Sequence, residues 1–162
     1  SLKSVSLDAV RIRIHGDYHL GQVLYTGQDF SIIDFEGEPA RTFGERKIKR
    51  SPLKDIAGMV RSFGYVAEYH IKKNVLREQD GLHADRCLKA WAQWTSSEFI
   101  KSYLNSIQGQ FLPPQIEQTA LLLEMHILEK ALYEVGYELH NRPEWVDIPL
   151  RGVLRILERD QE

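Results

Sequence analysis

At 162 residues, 43% hydrophobic and 27% charged, the chain has the make-up of one ordinary globular domain with apolar side chains enough for its own core. Its formal net charge of −2 gives no general attraction to nucleic acid or an anionic membrane. No apolar run of about 18 residues is present to span a bilayer, the lone Cys87 excludes an internal disulfide, and no secretory segment is visible, so the expected location is a reducing cytoplasm with neither nucleic acid nor membrane as partner.

In chain order, Val10 to Ile14 alternates as VRIRI, and Val23 to Thr26 and Ser31 to Phe35 are short β-prone runs separated by GQD, which predicts a small β element. From Glu38 to Pro52 the chain mixes Pro, Gly and both charges without a period and reads as a loop. Its basic group, Arg41, Arg46, Lys47, Lys49 and Arg50, is interrupted by Glu45 and reads as solvated. Everything after Pro52 reads as helix. A first helix is predicted from near Leu53 toward Arg77, with Leu53, Ile56, Ala57, Val60, Phe63 and Ala67 facing the core. A second runs from Ala84 to Ile107, with Trp91 and Trp94 as packing residues and Cys87 as a small core residue. Pro113-Pro114 opens a third. In it Leu121, Met125, Leu128, Leu132, Val135 and Leu139 step by four and three and predict the buried face, flanked by an amphipathic stripe of His126, Lys130, Tyr133, Tyr137 and His140 fit to line a cleft. NRPEW ends that helix at Pro143, and LRGVLRILE supplies a short final one.

Two segments carry the chemistry: HGDYHLGQ, His15 to Gln22, and IIDFE, Ile32 to Glu36, joined by the expected hairpin. The pair resembles the phosphate-transfer core of protein-kinase-like enzymes. There an Asp accepts the proton of the attacking hydroxyl, an amide side chain farther along the same loop holds a metal, and a second Asp after a strand bridges metal and nucleotide phosphates. Phosphoryl transfer is mostly positioning and charge neutralisation, and magnesium takes hard oxygen ligands, so a carboxylate and an amide carbonyl on adjacent loops are the right types. The resemblance implies Asp17 as catalytic base, Gln22 and Asp34 as ligands of Mg2+, and ATP as phosphoryl donor. HGD alone is short, and a turn-capping Asp explains it as well; the combination with the hairpin and the second Asp carries the reading. A transition-metal site at His15, Asp17 and His19 is the weaker alternative, because neither a Cys partner nor an HExxH pattern accompanies it.

Together with IIDFEGEPA at Ile32 to Ala40, RSPLKDIAGMVRSFGY at Arg50 to Tyr65 and YELHNRPEWVDIPLRGVLRIL from Tyr137, the HGD segment is similar to the maltokinase family over almost the whole chain. That family belongs to the aminoglycoside-phosphotransferase-like branch of the kinase fold, transfers the γ-phosphate of ATP to the anomeric hydroxyl of maltose, and is often the C-terminal part of a trehalose synthase fusion. Gln22 where most relatives carry Asn, and Glu36 where protein kinases carry Gly, both favour this branch. The implied fold is mainly α: the helical C-terminal lobe of a protein-kinase-like fold with a small β element at the catalytic loop. It forms a single domain over 1–162, with residues 1–40 carrying the catalytic and metal loops, 41–52 an activation-like loop, and 53–162 the helical acceptor side.

The resemblance places the maltose pocket in the last segment. Tyr133, Tyr137, Arg142 and Trp145 are the types that offer flat faces to a pyranose and partners to its hydroxyls; the plainer reading is that they complete the core and pair at the surface. His19 either meets substrate or braces its loop, and His15 and Glu36 support the site. Asp55 is a first-turn carboxylate favoured by the helix dipole or, as the kinase resemblance implies, a brace on the HGD backbone. The Gly-rich loop and strand lysine of a kinase N-terminal lobe cannot be placed in the 14 residues before His15. The chain is therefore expected to be one lobe of a longer enzyme, inactive alone, whose partners are that missing lobe and a fused trehalose synthase. A non-catalytic carbohydrate-binding or docking module, and a kinase with another hydroxylated acceptor, are the alternatives.

Overall fold

The computed structural model of the chain describes residues 9–73 and 81–159. The period changes where the sequence says it does. A two-stranded antiparallel hairpin, β1 (Val23–Tyr25) and β2 (Phe30–Ile32), pairs Val23 with Ile32 and Tyr25 with Phe30. Its turn closes through the Thr26 amide on the Asp29 carbonyl and places Gly27 at φ +97°, a conformation that glycine adopts at no steric cost.

The alternating segment at Val10 to Ile14 is not a strand of that hairpin. It keeps one antiparallel bridge, Ile12 with Arg50, closed by reciprocal 2.9 Å amide bonds, so its partner is the end of the 38–52 segment. Nor is that segment all loop. TFGE folds into the short helix α1 (Phe43–Arg46) behind a reciprocal Thr42–Glu45 capping box, which satisfies two otherwise orphaned amides.

Helix α2 (Leu53–Lys72) begins after Pro52 and ends with His70 and Lys72 in its last turn, where positive charge suits the helix dipole. Residues 74–80, to which the sequence reading extended this helix, lie outside the described residues. Leu53, Ile56, Ala57, Phe63 and Ala67 are buried, as their spacing predicts; Met59, outside that stripe, is buried too, while Val60 is half-buried. Helix α3 (Gly81–Ile107) packs on one flank of α2 and α4 (Ile116–Asn141) on the other; α5 (Asp147–Arg159) closes against α2 and α4. Leu53, Ile56 and Leu122 form the centre of the core, bordered by Phe99, Ile100, Tyr103 and Leu123. Phe63 meets Phe99 and Trp91 edge to face, at centroid distances of 5.9 and 6.2 Å.

Three expectations about packing fail. Trp94 is 72% exposed and Cys87 is exposed, so neither belongs to the core, although Trp91 does pack on Phe63. On α4 the buried residues are Thr119, Leu122, Ala131 and Glu138, whereas Met125, Leu132 and Leu139 are 45–55% exposed. Small and charged side chains hold the interface there, because Ala131 lets helices approach closely and Glu138 is paired across to α2. The proline pair precedes α4 rather than entering it; Gln115 is the N-cap. No described helix is long and apolar enough to cross a membrane.

Candidate active site

The HGD loop is held by one carboxylate. Asp55, in the first turn of α2, accepts the backbone amides of His15 at 2.7 Å and Gly16 at 2.9 Å. Burial pushes the Asp55 carboxyl above its ordinary range, and those two hydrogen bonds oppose the shift. The brace reading of Asp55 is the one realised. His15 is 7% exposed and works as a second brace: Nε2–H donates to the Ile33 carbonyl at 2.8 Å, which leaves Nδ1 to accept the Asp17 amide. The ring thereby ties the first loop to the residue before Asp34.

Two further anchors come from α2. The Ser62 hydroxyl accepts the Leu20 amide, and Gly58 brings the helix against the loop so closely that a Cβ there would lie 2.5 Å from the Tyr18 carbonyl oxygen. A glycine inside a helix is the sequence signal of such an approach.

Asp17 stands on this braced loop with its side chain 14% exposed. Its Oδ1 is 3.5 Å from Lys130 Nζ on α4, and its Oδ2 is 3.8 Å from His19 Nε2. His19 also accepts the Gly21 amide through Nδ1, capping the short turn Leu20–Gln22. That turn delivers Gln22 opposite Asp34, and the two side chains meet at 2.9 Å. Asp34 sits at φ +61°, in the left-handed region that aspartate tolerates better than most residues but at some strain. Gln22 Nε2–H donates to Asp34 Oδ2, so one amide and one carboxylate face each other from adjacent loops. Among the described residues no group of three or more His, Cys, Asp or Glu side chains could hold a metal ion.

Asp17 opens on a cleft between the HGD loop, α2 and α4, lined also by Glu38, Arg41, Lys54, His126, Glu129, Lys130 and Tyr133. Lys130 spans Asp17 and Glu38, at 3.5 and 3.9 Å, and lies over the Tyr133 ring. Burial first, then a hydrogen bond to Glu38, raises the Tyr133 hydroxyl well above its ordinary value, so it stays a donor at any working pH.

Of the acceptor-side residues expected from sequence, only Tyr133 lines this cleft. Arg142 is bidentate on Glu138, at 2.9 and 2.6 Å, and lies over the Tyr137 and Trp145 rings. Trp145 stacks on Tyr69 with centroids 5.1 Å apart. Tyr137, Arg142 and Trp145 thus form a separate group toward the C-terminal end of α4. Glu36 is exposed and does not line the cleft, whereas Glu38, two residues on, does. Lys54 and Glu129 were missed from sequence because each looks like a surface charge on its own helix. His126 and Lys130 carried a signal in the stripe that contains Tyr133.

A mainly helical scaffold with one two-stranded hairpin matches the helical lobe of a kinase-like fold. The solved structure of a glucosamine kinase in complex with glucosamine, ADP and inorganic phosphate superposes on it with a TM-score of 0.76, over 93% of this chain and 36% of that one, at 22% identity. Crystal form A of a glucosamine kinase gives 0.73 over 91% of this chain and 32% of that one, also at 22% identity. In sequence the chain is 25% identical over 138 residues to a glucosamine kinase of Streptacidiphilus jiangxiensis, covering 85% of this chain and 30% of that protein. It is 28% identical over 136 residues to a glucosamine kinase of Mycolicibacterium smegmatis, covering 83% and 32%. No family model matches. The chain spans about a third of the length of these relatives.

Proposed function

We propose that this chain is the catalytic, acceptor-side lobe of an ATP-dependent sugar kinase, and that its acceptor is maltose, phosphorylated at the anomeric hydroxyl. The observation that carries the reading is Asp17 on its braced loop at the edge of the cleft, with the Gln22–Asp34 pair on the adjoining loop. Asp17 takes the proton of the acceptor hydroxyl while that oxygen bonds the γ-phosphorus of ATP, the bond to the bridging oxygen breaks, and ADP leaves. Gln22 and Asp34 would hold Mg2+, which when bound neutralises charge on the phosphate oxygens. Asp55 and His15 keep the base fixed, so little reorganisation is needed at the moment of transfer.

The relatives' names offer glucosamine as a second acceptor. The charges in the cleft favour a neutral sugar. Asp17 and Glu38 share Lys130, Glu129 is met by Lys54 and His126, and Asp55 is engaged by two amides, so an ammonium group would have to displace a cation already in place. The resemblance to maltokinases adds the same preference, together with a fusion to trehalose synthase in the longer protein. The test is to incubate the full-length protein with Mg-ATP and either maltose or glucosamine and to identify the products by phosphorus NMR. An anomeric phosphate on maltose is the expected product. Phosphorylation of glucosamine alone would replace the acceptor, and ADP release independent of any sugar would overturn the kinase reading.

A further inference from the structure

Lys130 is a cation whose partners lie off its own helix. The α4 carboxylates nearest to it in sequence are already met from α2, Glu129 by Lys54 and Glu134 by Arg61. The Lys130 ammonium instead reaches two carboxylates that come from different loops, Asp17 of the HGD loop at 3.5 Å and Glu38, in the segment after Asp34, at 3.9 Å. The Tyr133 ring backs the ammonium with its centroid 5.1 Å from Nζ, and the Tyr133 hydroxyl is itself hydrogen-bonded to Glu38. The three charged side chains are 13–25% exposed, which separates them from the fully solvated pairs that count for little. All three line the cleft, so whatever enters it meets this cation beside the base. Without the ammonium, Asp17 and Glu38 would face one cleft as like charges, and their repulsion would turn the Asp17 side chain away. With it, Asp17 Oδ1 is engaged. Oδ2 lies 3.8 Å from His19 Nε2, beyond hydrogen-bonding distance, and is the oxygen left to take a proton.

We infer that Lys130 is a positioning residue for phosphoryl transfer: shared between Asp17 and Glu38, it holds the base through Oδ1 and so presents Oδ2 to the acceptor hydroxyl. The inference rests on the sugar-kinase reading and deepens it. Asp55 and His15 fix the backbone of the HGD loop, whereas Lys130 fixes the side chain that stands on it. In the step itself the acceptor O–H bond breaks and its proton goes to Oδ2. The freed electron pair bonds the γ-phosphorus, and the bond to the bridging oxygen breaks with its pair leaving on ADP. Lys130 keeps its own proton throughout, and Glu38 remains as its counter-charge once Asp17 is neutral.

The test uses the full-length protein with Mg-ATP and maltose, or glucosamine should that be the sugar phosphorylated. Lys130→Met, which keeps an unbranched stem beside Tyr133 and removes the charge, lowers kcat about 10- to 100-fold, up to the scale of an ångström misplacement of a reacting group. The sugar KM and the Kd for Mg-ATP stay within about 3-fold, because the interaction acts on the step and not on binding. Lys130→Arg, which restores a cation, recovers a large part of the loss, and Lys130→Gln, polar but uncharged, does not. The deciding readout is the double variant. A group that acts through Asp17 has nothing left to position in Asp17→Asn, so adding Lys130→Met to it lowers the residual kcat by less than about 3-fold. Unchanged kcat in Lys130→Met, losses fully additive with Asp17→Asn, equal activity of the Arg and Gln variants, or a melting temperature lowered in step with activity would overturn the inference. Asp17→Asn alone separates the two levels. If it is strongly impaired while Lys130→Met behaves as the unsubstituted protein, this inference alone fails; if Asp17→Asn turns over normally, the kinase assignment fails and takes the inference with it.

Discussion

Asp55 shows how a single side chain can set the geometry of the HGD loop. Its two oxygens are both taken by backbone amides, of His15 and Gly16, across 40 and 39 residues of sequence, so the loop cannot shift without losing a partly buried hydrogen bond to a carboxylate. Asp55→Ala in the full-length protein should lower kcat about 100-fold, the scale of an ångström misplacement of a reacting group, while Mg-ATP affinity changes little. Steady-state kinetics with a direct ATP-binding measurement checks this. The titration has a definite sign as well. The folded Asp55 carboxyl lies above its unfolded value, so its contribution to stability is full in acid and declines as the pH rises through the folded value. Asp55→Asn cannot titrate, and its stability should lack that decline when unfolding is followed by denaturant at a series of pH values. At this scale the sequence marked the segments that meet: Asp55 on His15 and Gly16, His15 on Ile33 and Asp17, and Gln22 on Asp34. Lys54 and Glu129 were not, because their pairing spans 75 residues and each looks like a solvated charge on its own helix.

At the scale of elements, α2 and α4 are instructive in opposite ways. On α2 the apolar stripe is the buried face, where the helix meets α3 and α4. On α4 the regular apolar stripe is half exposed, and the interface is built instead on Ala131, Thr119 and Glu138. Periodicity reports which residues share a face, yet it does not say which face a neighbour will cover when small residues permit closer approach than large ones. Substitution of Leu132 or Leu139 by Gln should therefore change the unfolding free energy of this chain by no more than about 0.5 kcal/mol. Ala131→Leu should destabilise it by about 1–3 kcal/mol through overpacking. Equilibrium denaturation of the three variants decides the matter, and the reverse ranking would return the leucine stripe to the core. The capping box of α1 was readable as TFGE, but the mixed composition around it hid the signal.

Across the whole molecule, polar pairs that end on buried carboxylates join the apolar contacts between the helices. Arg61 of α2 pairs with Glu134 of α4, Tyr65 and Arg142 share Glu138, and Arg151 and Arg155 of α5 reach Glu68 of α2. Glu138 is 2% exposed, so removing its partner strands a buried carboxylate. Arg142→Ala should cost about 1–3 kcal/mol of stability, discounted because the guanidinium itself is half exposed. The maltose KM of the folded enzyme should stay near its original value, whereas a raised KM with unchanged stability would make Arg142 an acceptor ligand after all. The central claim is tested most directly at Asp17. In the full-length protein Asp17→Asn is predicted to lower kcat for sugar phosphorylation about 100- to 10,000-fold while the Kd for Mg-ATP stays within a few-fold of the original; turnover within a few-fold of the original would contradict the assignment of Asp17 as the base and, with it, the kinase reading of this lobe.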